Sequence, residues 1–122
     1  ENSRERYVAV RVLSGMNQDE VEDYGDLLAA RLRDTGLKVR LQAFRAMSQV
    51  RELAGNHISE VVRGLKDSAW QVRREAAVVL RTSRTDSKEA LELLKSQREK
   101  ERHFAVRHAM DRAILELEKV GG

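Results

Sequence analysis

The stretch Leu65-Lys66-Asp67-Ser68-Ala69-Trp70-Gln71-Val72-Arg73-Arg74-Glu75-Ala76-Ala77-Val78-Val79-Leu80 decides how this chain is read. Its Val72-Arg73 pair is followed by small or apolar residues at +4, +7 and +8, namely Ala76, Val79 and Leu80. Val39-Arg40 repeats the pattern with Ala43, Ala46 and Met47, and Val106-Arg107 repeats it with Met110, Ala113 and Ile114. The three starts lie 33 and 34 residues apart (72−39 and 106−72). A fixed period of this size marks stacked helical units, each of which buries its apolar face only against its neighbours. The spacing therefore predicts a core lined by Val39, Ala43, Met47, Val72, Ala76, Leu80, Val106, Met110 and Ile114.

Composition agrees with an all-α chain. The 122 residues are 35% charged and 41% hydrophobic, strong helix formers dominate, and aromatic residues make up only 4%. The absence of proline leaves every helix interior its N–H donors. The absence of cysteine removes disulfides, thiolate nucleophiles and cysteine-bound zinc together. It also agrees with an intracellular home, cytoplasmic or nuclear. No run of apolar residues is long enough for a membrane span, so no membrane partner is expected. The chain opens with Glu1-Asn2-Ser3 rather than Met and is expected to be part of a longer protein.

Glycines and capping residues divide the chain into helices. Gly15 closes a first helix around Tyr7, Val8, Val10, Val12 and Leu13. Asn17 with Glu20 reads as a capping box for the helix through Leu27, Leu28 and Leu32. After Gly36 a helix is expected from Lys38 to Ala54, and after Gly55-Asn56 a short one through Ile58, Val62 and Leu65. Asp67-Ser68 caps a helix from Ala69 to Ser83, and Asp86 with Glu89 opens the next. Residues 86–119 contain no Gly, and the apolar pattern fails over residues 96–102, all polar. That run reads as a turn or as an extended, solvated helix end.

The units resemble HEAT-like repeats of the short, phycobilisome-lyase type. Their Leu-x-Asp close followed by Val-Arg-x-x-Ala is matched by Leu32-Arg33-Asp34 with Val39-Arg40-Leu41-Gln42-Ala43, and by Leu65-Lys66-Asp67 with Val72-Arg73-Arg74-Glu75-Ala76. The third unit has Ser96 where the acid is expected and five extra residues before Val106. The resemblance implies a right-handed α-α solenoid, a superhelix of about three helix pairs plus an N-terminal half repeat. The boundaries are a half repeat at 1–15 and repeats at about 17–54, 56–84 and 86–120. It further implies a ladder along the stack drawn from Asp34, Arg40, Asp67, Arg73 and Arg107, with Asp34–Arg73 and Asp67–Arg107 as rungs.

Signals for catalysis are weak. His57 is placed at a helix start. His103 and His108 are five residues apart, about 140° around a helix, and miss the i, i+4 face of helix-borne metal pairs. HEAT-like hydroxylases hold di-iron through His-Glu dipeptides, and this chain has none. No Gly-x-Ser-x-Gly elbow and no Gly-rich phosphate loop occurs. Glu20, Asp23 and Asp26 share a helix face, but a helix N-terminus attracts acids for electrostatic reasons alone. No metal, cofactor or catalytic residue is therefore expected. Trp70 is expected to pack against an adjacent repeat or a loop, with a partner contact as the alternative.

The face opposite the core carries more. Positions +2, +6, +9 and +13 from each Val turn away from it and hold Leu41, Arg45, Ser48 and Glu52, then Arg74, Val78, Arg81 and Thr85, then His108, Arg112, Leu115 and Lys119. In HEAT-like arrays the second helices line the concave side, where partners commonly bind. Leu41, Arg45, Arg74, Val78, Arg81, His108, Arg112 and Leu115 are accordingly expected to bind a partner. Arginine suits this because its planar fork pairs bidentately with carboxylate or phosphate.

The expected function is a non-enzymatic interaction scaffold for an acidic or amphipathic protein segment. The alternative is a nucleic-acid module contacting backbone phosphates, against which stand a net charge of only +3 and the acidic run Asp19, Glu20, Glu22, Asp23 and Asp26. Neither terminal helix looks like a polar cap, so a homo-oligomer formed end to end is the expected alternative to excision from a longer protein.

Overall fold

A computed structural model describes residues 15–121. Seven α-helices occur among the described residues, with no strand. They are α1 (Gln18–Arg31), α2 (Leu37–Gln49), α3 (Arg51–Asn56), α4 (Ile58–Arg63), α5 (Trp70–Ser83), α6 (Lys88–Lys100) and α7 (Phe104–Gly121). A 3-10 turn, Gly64–Lys66, extends α4. The expected first helix with Tyr7, Val8, Val10, Val12 and Leu13 lies outside the described residues.

Local chemistry accounts for three of the helix starts. The Asn17 side chain accepts the Glu20 N–H at 2.9 Å, and the Glu20 carboxylate accepts the Asn17 N–H at 3.2 Å, which closes the capping box. α5 starts one residue later than expected: Ala69 is its N-cap, and Asp67 supports the turn by accepting the Ala69 N–H at 2.9 Å. α6 is capped by Ser87 rather than Asp86, through the Ala90 N–H at 3.1 Å. The helix expected from Lys38 to Ala54 is broken at Val50, whose extended backbone (φ −131°, ψ 107°) separates α2 from α3. Residues 96–102 prove to be a solvated helix end followed by a short turn, since α6 runs to Lys100 and α7 begins at Phe104.

Two layers emerge from the contacts. α2, α5 and α7 lie side by side with α5 in the middle, and α1, α3, α4 and α6 pack against them from one side. The core follows the repeat: Ala43, Met47, Val72, Ala76, Leu80, Val106 and Met110 are buried, while Val39 and Ile114 are half-buried. Gly64 sits where α4 meets the layer beneath. A Cβ there would collide with the Phe44 ring and stand 2.8 Å from the Ala76 Cβ. In the same way Gly25 lets α1 approach Leu53 and His57, which a Cβ would meet at 2.9 and 3.1 Å.

One register position changes character along the layer. Phe44 and Ala77, 33 residues apart, are fully buried, and Phe44 fills the space over Gly64 of the following pair. The next equivalent, 34 residues on, is Asp111. It is exposed and receives two hydrogen bonds from Arg98 of α6, at 2.7 and 3.1 Å. Lys95 and Glu118 make a second α6–α7 pair at 2.9 Å. Arg98, Asp111, Lys95 and Glu118 thus make this side of α6 and α7 polar, while Leu117 turns inward and is 2% exposed.

Candidate functional site

The turns that open α2, α5 and α7 lie along one edge, where arginines join them. Arg40 gives hydrogen bonds from Nε and Nη2 to the two Asp67 carboxylate oxygens at 2.9 and 3.2 Å. Its Nη1 donates to the carbonyls of Asp34 and Thr35 in its own turn, at 3.0 and 3.1 Å. Arg73 repeats the arrangement with the carbonyls of Asp67 and Ser68 (2.9 and 3.3 Å) and with the Glu101 carboxylate (2.8 and 3.1 Å). The rungs thus run opposite to the expected direction: each arginine reaches forward to the next turn. Asp34 does not meet Arg73, and Asp67 does not meet Arg107. Asp34 accepts the Gly36 N–H at 2.8 Å instead. Arg107 is exposed and makes no ion pair among the described residues.

Glu101 is the residue that the motif reading missed. It precedes Arg107 by six residues, as Asp34 precedes Arg40 and Asp67 precedes Arg73, and that spacing was the available signal. The five extra residues lengthen α6 before this turn, and the longer Glu side chain still reaches Arg73. Burial opposes ionisation of Glu101, whose side chain is 5% exposed. Hydrogen bonds from Arg73 and from the His103 N–H, with the Arg73 charge and the Arg102 N–H, outweigh burial and hold its carboxyl below the usual range. On the outer pair, the Arg98 hydrogen bonds likewise hold Asp111 low.

The expected partner-binding residues lie on the side of α2, α5 and α7 that faces away from the core. They form rows across the three helices. Leu41, Arg74 and His108 make one row, Arg45, Val78 and Arg112 the next, and Ser48, Arg81 and Leu115 the third. Arg74, His108, Arg112 and Leu115 are exposed, the last by 61%; the remaining five are half-buried. The guanidinium groups of Arg45, Arg81 and Arg112 form no ion pair among the described residues, whereas Arg74 lies 3.6 Å from Glu75. Glu52, expected to continue the first column, falls beyond the Val50 break on α3.

A further row stands one turn nearer the bridged edge. Leu37, Trp70 and Phe104 are the first residues of α2, α5 and α7, and they occupy equivalent positions. All three are exposed, by 38%, 36% and 75%. Trp70 packs on an adjacent pair, as expected, through the His103 ring (centroids 4.0 Å apart, planes inclined 13°). His103 in turn stacks on Phe104 at 5.6 Å, and its Nδ1 accepts the Ala105 N–H at 3.2 Å. The two other histidines are elsewhere: His57 lies 3.6 Å from Asp26, and His108 is on the exposed face of α7.

No described helix is long and apolar enough to cross a membrane. Comparison with known protein families, with curated proteins and with solved structures finds no match.

Proposed function

We propose that the chain is a right-handed solenoid of HEAT-like helix pairs that acts as a non-enzymatic protein-interaction module, gripping an acidic or amphipathic segment on the exposed face of α2, α5 and α7. The observation that carries this reading is the set of guanidinium groups on Arg45, Arg81 and Arg112, which project from three adjacent helices with no carboxylate partner among the described residues. An arginine that structure alone required would be bridged, as Arg40 and Arg73 are. Val78 and Leu115 lie between these charges and add an apolar component, so binding weakens with salt without vanishing.

The test is capture of partners from a nuclease-treated lysate by the chain and by the Arg74→Glu/Arg81→Glu variant. The variant is expected to keep its helical circular dichroism and lose the partner. Retention of the same partner would reject this face as the site. Partners lost on nuclease treatment, with duplex DNA or RNA retained at low salt, would replace the protein reading by the phosphate-binding one.

A further inference from the structure

We propose that Leu37, Trp70 and Phe104 form an apolar ledge, and that ledge and arginines together seat one amphipathic helix of a partner protein with acidic residues along one flank. This rests on the interaction reading of the same face and names the partner's chemistry. Single exposed apolar side chains are ordinary on protein surfaces. Here three large ones recur at the same register position, at the starts of three neighbouring helices. None of them adds to the core from there, and Phe104 is three-quarters exposed.

The ledge is held rather than loose. His103 stacks against both Trp70 and Phe104, and its main-chain N–H is fastened to Glu101 at 3.1 Å. The bridges Arg40–Asp67 and Arg73–Glu101 fix the three turns that carry it. A rigid aromatic anchor beside arginines is the composition that dominates binding energy at protein interfaces.

Dimensions select the occupant. From Leu37, Trp70 and Phe104, the row Leu41, Arg74 and His108 lies one turn along the helices, about 6 Å away. The row Arg45, Val78 and Arg112 lies about 12 Å away. A helix laid across α2, α5 and α7 is about 10–12 Å wide and covers all of them at once. Its apolar stripe rests on the ledge, and the flank on the far side meets Arg45 and Arg112, which lack ion-pair partners among the described residues. Carboxylates on that flank complete the pairs. A nucleic acid fits less well, because His103 occupies one face of Trp70 and Leu37 offers no ring for a base.

The experiment pans a displayed library of short peptides against the whole chain and titrates the recovered peptides by the emission of Trp70, the single tryptophan. The expected peptides share apolar residues three and four apart with Asp or Glu on one flank, and they shift the Trp70 emission. Phe104→Ala is expected to weaken them roughly tenfold or more with an unchanged melting temperature. Leu37→Ala serves as a second variant that leaves the His103 stack in place. Recovery of no peptides, of basic ones, or of peptides that bind Phe104→Ala with full affinity would overturn the proposal. Binding that needs Arg74 and Arg81 but neither Phe104 nor Leu37 removes the ledge and leaves the arginine-face reading standing. Binding indifferent to all four rejects both. Displacement of the peptides by a single-stranded oligonucleotide that itself requires Trp70 would reassign the ledge to nucleic acid, and displacement by excess chain would reassign it to self-association.

Discussion

Arg73 and Glu101 lie 28 residues apart in sequence and meet through two hydrogen bonds, at 2.8 and 3.1 Å, on the edge where the turns before α5 and α7 adjoin. The pair is well covered, with side chains 22% and 5% exposed. Removing one partner therefore leaves the other charge in poorly solvated surroundings. Such a loss is far more costly than that of an exposed ion pair.

Glu101→Gln is expected to lower stability by about 2–4 kcal/mol at neutral pH, measured by urea unfolding. The folded-state pKa of Glu101 is lowered, so the unfolded chain takes up the proton first as pH falls. The contribution is full above the ordinary Glu value, about pH 4.3, and fades as pH drops through it toward the folded value. The difference between the chain and the Gln variant should accordingly narrow between about pH 5 and pH 3. A constant difference across that range would show that the bridge contributes nothing through ionisation.

Gly64→Ala is expected to destabilise the fold by roughly 1–3 kcal/mol, even though alanine is the better helix former. The added methyl meets the Phe44 ring and the Ala76 Cβ, and both residues are fully buried and cannot retreat. Phe44→Leu in the same chain should recover part of the loss. A double-mutant cycle by thermal unfolding reads that coupling.

Ser87→Ala is expected to cost about 1 kcal/mol, because it removes the cap on the Ala90 N–H. Asp86→Ala, at the exposed neighbour, should stay within about 0.5 kcal/mol of the unaltered chain. Chemical unfolding of the two variants side by side decides which residue starts α6.

Leu80→Ala empties a site under the middle helix, where Leu80 is fully buried. The expected loss is roughly 2–5 kcal/mol by urea unfolding. A loss below about 1 kcal/mol would mean that α5 is not the centre of the core.

The helical period was legible because burial repeats with it: Ala43, Ala76 and Met110 all point inward from equivalent places. The break at Val50 was not, since neither Gly nor Pro announces it and only the extended backbone of that residue reveals it. Residues on the exposed face could be grouped by helical geometry, yet the ledge escaped notice. Leu37, Trp70 and Phe104 differ too much as residue types to look like a repeat until their shared position is seen. Glu101 was hidden for a related reason: the motif asks for Asp, and the chain satisfies the same bridge with a longer acid from a longer helix. The direction of the bridges depends on how neighbouring turns are offset in space, which residue spacing does not encode.

Arg40 and Arg73 each bind two carbonyls of their own turn and a carboxylate of the next, so the stack is bound along one spine. The opposite edge, where α5 ends, is crossed by the half-exposed Arg84–Glu116 pair at 3.2 Å. The well-covered bridges therefore lie at the margin that carries Leu37, Trp70 and Phe104, and the half-exposed one lies at the margin nearer Ser48, Arg81 and Leu115, so added salt should weaken the second fastening before the first.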